Sequence, residues 1–158
     1  MALKKVLVLG ANGEIEQLQA GDTVDIVASS NQLFSATNQN AGEIIIGQPV
    51  YIAAGDTVDL ALADAQATSG VIGLVSDASI ASAAIGTIVT DGILTSADWT
   101  SVVGAATLTT GAVYFLSDVT AGTLTTTPTT TTGSFVTRVG TAISTTTLEV
   151  TISRPIKL

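Results

Sequence analysis

The sequence predicts a mainly β protein: a small antiparallel β-sandwich or barrel with an extended N-terminal arm and one or two short helices. Three observations carry this expectation. Short runs rich in Val, Ile and Thr dominate the chain, and β-branched residues fit a pleated surface. In the C-terminal half these runs recur about 6 to 10 residues apart between turn signals, a spacing that favours sandwiches and barrels. The alternation of strands with long helices that marks a doubly wound fold is absent.

The elements follow in chain order. Residues 3–9, "LKKVLVL", form a short strand or extended arm. "GANGEI" turns, because Asn12-Gly13 is the kind of pair that tolerates positive φ in a tight hairpin. "EIEQLQAGDTVDIV" reads as strand, turn, strand. Residues 28–43, "ASSNQLFSATNQNAGE", are rich in Ser, Asn, Gln and Ala, with Leu33 and Phe34 as the large apolar residues. This stretch is expected to be an extended linker, which divides the chain into an arm, hairpin and linker at 1–42 and a β-rich body at 43–158.

In the body, Ile44 to Ile46 is a strand, Gly47-Gln48-Pro49 a turn, and Val50 to Ile52 a strand. "LADAQATSG" offers one helical turn before the apolar strand "GVIGLVSD". "ASIASAAIGTIVTDGIL" gives turn, strand, a turn at Asp91-Gly92, then strand. "SADWTSVVG", residues 96–104, is the best helix: Ser96 can cap it, Asp98 sits in its first turn and Gly104 ends it. Trp99 on this helix should pack over the sheet. The tract "LTTTPTTTTGSF", residues 124–135, is too short for a mucin-like stalk and should be a surface loop carrying strand ends. The hexapeptide "AGDTVD" occurs at 20–25 and at 54–59 with different flanks, so it is one local solution used twice, a Gly turn feeding a Thr-Val strand.

Composition narrows the function. The chain has 158 residues, 46% hydrophobic and only 11% charged, which suits one ordered domain. No apolar run reaches the ~18 residues of a membrane-spanning helix. Lys4 and Lys5 are not followed by a signal-peptide pattern, so none is expected. Cysteine and histidine are absent, which removes the thiolate nucleophile, the commonest general base and the commonest metal ligand. The net charge is -8 with five basic residues, so there is no basic patch for nucleic acid. The protein is expected not to be an enzyme and to need no cofactor.

Two motifs test that expectation. "KKVLVLGANGEI" starts like a dinucleotide fingerprint, but Glu16 stands where a third glycine must let a helix approach, and no convincing helix follows. The pairs Asp22/Asp25 and Asp56/Asp59 hold calcium-type oxygen ligands without an EF-hand spacing. They also offer the two carboxylates of a glycoside hydrolase, but such a cleft wants aromatic walls, and the six aromatic residues are few. Turn caps and solvated strand edges are the plainer account of these aspartates.

With the strands laid out, their order resembles the capsid decoration (cement) proteins of tailed bacteriophages. The resemblance rests on "GQPVY", "ATSGVIGLV", "TDGIL", "LTTGAVYFLS" and "VGTAIS", taken in this order, and covers nearly the whole chain. It implies a structural virion protein on the outer surface of the capsid, made in the bacterial host cytoplasm. It implies a homotrimer that clamps neighbouring major capsid protein subunits and stabilises the shell. It supplies no catalytic residue.

The residues agree with a clamp, which needs apolar and hydrogen-bonding area rather than reactive groups. An arm with an unpaired strand can add to a neighbour's sheet edge. Residues 1–30 are the candidate arm. Leu3, Val6, Leu7 and Leu9 are its apolar anchors, Lys4 and Lys5 its acid-pairing groups, and Leu33 and Phe34 further contact candidates. The same stretch could instead form an edge hairpin of its own domain. A phage head-fibre or tail adhesin module for host recognition is the alternative function, supported by the Thr-rich loop on a rigid body.

Overall fold

The computed structural model describes residues 7–9, 15–17 and 31–158. The first element is a hairpin: β1 (Leu7–Leu9) pairs antiparallel with β2 (Ile15–Gln17), Leu9 opposite Ile15. A strand therefore follows the Gly-x-x-Gly stretch, where a dinucleotide site would need a helix. The turn residues Asn12 and Gly13 lie outside the described residues, as does the first AGDTVD copy.

Seven strands build the next unit: β3 (Gln32–Asn38), β4 (Ile44–Ile45), β5 (Pro49–Ala54), β6 (Thr57–Leu60), β7 (Val71–Val75), β8 (Ser79–Ile80) and β9 (Ile85–Thr95). Five of them close a barrel. The order β9-β3-β6-β5-β7 returns on itself because β7 also pairs with β9, Leu74 opposite Val89. Every ladder in it is antiparallel except β3–β6. β4 and β8 make a separate two-stranded ribbon.

The linker expected at 28–43 contains β3, which sits inside the barrel between β9 and β6. Its polar composition hides a period of two. Phe34, Ala36 and Asn38 alternate inward, while Leu33, Ser35 and Thr37 are more exposed. Asn38 is 1% exposed yet behaves as a core residue because its amide is satisfied. Its Nδ2 donates to Gly42 O at 3.0 Å and Ile80 O at 2.8 Å, and its Oδ1 accepts from Asn40 N at 2.7 Å.

The turn expected at Asp91-Gly92 is instead a bulge within one long strand. Gln32 faces Asp91 while Leu33 faces Val89, so β9 carries one extra residue there. Asn31 then continues the ladder with its side chain: Ile93 N donates to Asn31 Oδ1 at 2.7 Å, and Asn31 Nδ2 to Ile93 O at 2.8 Å. Gly92 has φ +114°, and a Cβ there would lie 2.3 Å from Asn31 Oδ1. Glycine is thus used to let a side chain approach the strand, not to reverse the chain.

"LADAQATSG" makes one helical hydrogen bond, Ser69 N to Ala65 O at 3.0 Å, within a series of turns. The second AGDTVD copy is the expected hairpin, with Gly55 at φ +57° opening a two-residue loop between β5 and β6. The helix α1 (Thr100–Val103) is shorter than the sequence indicates. Ser96 does not cap it; its Oγ donates to Asp98 O at 2.7 Å. Trp99 is the N-cap and makes no side-chain cap bond; Asp98 lies before the helix rather than in its first turn, its carboxylate accepting from Thr100 N at 2.8 Å and Thr100 Oγ1 at 2.6 Å. Gly104 ends the helix in the left-handed conformation, as expected.

The remaining strands are β10 (Val113–Leu116), β11 (Leu124–Thr125), β12 (Phe135–Val136), β13 (Arg138–Ala142), β14 (Thr147–Val150) and β15 (Ile156–Lys157). β14 pairs with the second half of β9, and β13, β10 and β11 follow outward, so the barrel sheet continues into a four-stranded extension. β12 and β15 form a ribbon of their own. The fold is mainly β, a barrel with extra strands and one short helix, as the sequence predicts.

Two cores result. Ala36, Ile44, Val50, Val58, Val75 and Ile88 are in the first, and Trp99, Leu74, Val89, Leu116, Val139 and Leu148 in the second. β9 serves both, with Ile88 in one and Val89 in the other. Trp99 is fully buried, and its indole donates to Thr146 O at 3.1 Å. Gly47, with φ +84°, lies beneath that ring: a Cβ there would come within 2.8 Å of Trp99 Cζ3.

Candidate functional site

The contact candidates fall into three groups. Leu3, Lys4, Lys5 and Val6 lie outside the described residues. Leu7 and Leu9 lie in β1, opposite Gln17 and Ile15, and among the described residues this hairpin shares no ladder with the rest of the sheet. Leu33 and Phe34 are separated by the pleat of β3. Leu33 is 59% exposed, while Phe34 is half-buried against the barrel core. Phe34 is therefore a packing residue, and Leu33 is the one of the pair that offers area to a partner.

The structure adds exposed apolar residues that composition could not single out. Ile85 is 75% and Val119 83% exposed, and Ile143 is also exposed. Ile85 stands at the start of β9 opposite Thr37, on the outward side of the barrel wall. Only the register reveals this, because its neighbours Ala84 and Ile88 pack inward.

The aromatic residues do not line a cleft. Trp99, Tyr114 and Phe135 are buried, and Phe34, Tyr51 and Phe115 are half-buried. Tyr114 Oη accepts a hydrogen bond from Thr109 N at 2.9 Å, which fixes the loop before β10.

The aspartate pairs are not assembled either. Asp22 and Asp25 lie outside the described residues. Asp59 Oδ1 accepts from Asn40 Nδ2 at 2.8 Å and from Leu60 N at 2.7 Å, while Asp56 sits in the β5–β6 loop. Among the described residues no three acidic side chains are grouped as metal ligands would be. No helix among them is long and apolar enough to cross a membrane.

The Thr-rich tract is the surface loop the sequence predicts, running from β11 to β12. It is held at its middle by Asp118, whose carboxylate accepts from Thr129 Oγ1. That hydroxyl is the main reason the carboxyl of Asp118 lies below its ordinary value; partial desolvation opposes it, and Thr131 and Ser134 add further hydrogen bonds. Local hydroxyl-to-backbone bonds shape the rest, with Thr127 N donating to Thr125 Oγ1 at 3.2 Å and Thr131 N to Thr129 Oγ1 at 3.1 Å.

Among the described residues, the surface cavities include two of note. One, of about 220 Å³, lies where α1 meets β11 and is lined by uncharged residues, among them Val103, Thr107, Thr109, Tyr114 and Leu124. The other, of about 320 Å³, is lined by Asp91, Gly92, Ile93, Glu149, Val150 and Thr151. No protein-family model, no curated protein and no solved structure matches this chain.

Proposed function

We propose that this protein is a structural virion component that binds the outside of a phage head and clamps neighbouring major capsid protein subunits. One observation carries the proposal. The aromatic rings that could stack on a sugar are engaged in the fold, while large apolar side chains stand outside it. All six aromatic rings are buried or half-buried, and Asp59, Asp98 and Asp118 accept internal hydrogen bonds. Leu33, Ile85, Val119 and Ile143 are in water on a rigid β body. Such side chains become favourable when a permanent partner covers them, at about 25 cal/mol per Å² of apolar area.

The test is co-sedimentation with undecorated capsids of the parent phage. Saturable binding that raises the temperature at which the shells break is the expected result. Protein left in the supernatant at every concentration overturns the proposal. The second reading, a head-fibre or adhesin module, is favoured by the exposed Thr loop fixed through Asp118. Binding of the isolated protein to whole host cells, lost when residues 126–133 are shortened, would select it.

A further inference from the structure

Buried hydroxyls in the body find acceptors, and Tyr114 stands apart from them. Ser69 Oγ donates to Gln66 O at 3.3 Å, Ser96 Oγ to Asp98 O at 2.7 Å and Thr137 Oγ1 to Ser69 O at 3.1 Å, while Ser134 bonds to the Asp118 carboxylate. Tyr114 is 3% exposed, and its Oη accepts from Thr109 N at 2.9 Å. Among the described residues that hydroxyl gives its own proton to no acceptor. A buried donor without an acceptor is costly, so where it stands carries information. Tyr114 and Thr109 both line the 220 Å³ cavity between α1 and β11, which places the hydroxyl at its wall. The β10–β13 register shifts between Tyr114 and Phe115, a bulge of the kind that re-aims a side chain.

The rest of the cavity limits what that proton can meet. The lining carries no charge, so a charged ligand would lose its water without gaining a partner, and the ligand is neutral. Val103 and Leu124 offer methyl groups. Thr107, Thr109 and Thr126 are exposed at the mouth, and among the described residues their hydroxyls make no hydrogen bond. The wall is built before any ligand arrives. Trp99 N donates to Ala106 O at 3.1 Å, Leu108 N to Thr145 O at 2.8 Å and Ala112 N to Thr109 O at 3.0 Å, so little ordering is left to oppose binding. At 220 Å³ the space exceeds the roughly 150 Å³ that holds a benzene molecule, which gives room for one substituted sugar ring rather than a chain.

We propose that this cavity binds an N-acetylated amino sugar. The acetamido carbonyl accepts the Tyr114 proton, the acetyl methyl lies against Val103 and Leu124, and the amide N–H and ring hydroxyls meet the threonine hydroxyls at the mouth. A plain hexose lacks both the carbonyl and the methyl. Recognition here uses a phenol hydroxyl and methyl contacts, not a ring face, so it needs no exposed aromatic. With so few groups the site is weak, with a Kd on the order of 1 mM. The inference goes beyond the decoration reading and does not rest on it, since a protein seated on a shell can carry such a site as well.

The test is a titration of the full chain, labelled with nitrogen-15, with N-acetylglucosamine, followed by amide NMR. Glucose and N-methylacetamide are titrated alongside. Saturable shifts at residues 103–109, 114 and 124–126 are expected, with glucose and N-methylacetamide each at least about tenfold weaker. Tyr114→Phe keeps the ring and removes the hydroxyl, and should weaken the sugar about fivefold or more while the spectrum stays that of a folded protein. If the loss of an acceptor for Thr109 N prevents that variant from folding, Ala105→Leu, at an exposed position on the cavity wall, must block the site and weaken the sugar about tenfold. No saturable shift far above the expected Kd, shifts confined to other residues, glucose or N-methylacetamide binding as tightly as the amino sugar, or a folded variant that binds normally overturns the proposal. Capsid binding is scored separately: sugar binding by a protein that ignores capsids upholds the site and removes the decoration reading, and a capsid binder without these shifts does the opposite.

Discussion

Gly47 and Trp99 should be energetically coupled, and a double-mutant cycle can measure by how much. Gly47→Ala meets two separate penalties. The backbone there has φ +84°, which a side chain adopts at a cost of about 1–2 kcal/mol. The new methyl would also lie 2.8 Å from Trp99 Cζ3 and 3.2 Å from Val102 Cγ2, and both neighbours are buried. Forcing a packed core to give way costs about 1–3 kcal/mol. The single variant should therefore lose about 2–5 kcal/mol. Trp99→Leu removes the ring, and with it the bond to Thr146 O, at about 3–5 kcal/mol. In that background Gly47→Ala should cost only the backbone part, about 1–2 kcal/mol. The coupling is then about 1–3 kcal/mol, beyond the ~0.5 kcal/mol at which independent sites add. Urea unfolding followed by far-ultraviolet circular dichroism suits all four proteins, since Trp99 is the sole tryptophan and its fluorescence vanishes in half of them. Protein concentration is held constant, because self-association shifts apparent stability. Additive losses would refute the argument that Gly47 is there to make room for the indole.

Three further outcomes are expected. Asn38→Leu should cost about 3 kcal/mol or more in urea unfolding, because the carbonyls of Gly42 and Ile80 and the N–H of Asn40 lose their partner together. Leu33→Ser should change stability by under about 0.5 kcal/mol and lower capsid retention, while Phe34→Ser should cost about 2 kcal/mol, since only Phe34 packs on the core. Asp118 is held below its ordinary carboxyl value, first by the Thr129 hydroxyl, so its support of the Thr loop is complete above that ordinary value and is lost as pH falls through the lowered folded one. Protease cleavage within residues 126–133 should accordingly be flat from neutral to mildly acid pH and rise only in stronger acid, and Asp118→Asn should show the raised cleavage already at neutral pH.

The class of the fold was legible because β-branched runs and their turns report a local preference. Val71 to Val75, the β5–β6 hairpin and the strands after Val113 are each short enough for composition and spacing to mark them. The helix stop at Gly104 was legible for the same reason, as a left-handed cap is a property of a few neighbouring residues. β3 was not. Its inward residues are Phe34, Ala36 and an asparagine, and an amide reads as loop until the carbonyl of Ile80, 42 positions away, is there to accept its proton. Asp91-Gly92 misled in the same way, since a pair suited to a turn serves equally to admit Asn31 beside the strand.

What the sequence determined by itself is the material: a β chain with few charges, without cysteine or histidine, and with glycines where the backbone must reverse. Those are local or additive properties, and they survive without a fold. The tertiary structure decided which face each strand shows. It closed five strands into a barrel, placed Phe34 inside and left Leu33 and Ile85 outside. It also brought the guanidinium of Arg138 to Thr141, the cross-strand partner of Glu149. A strand's period of two says only that its faces differ, and pairing across long stretches of chain decides which of them meets water.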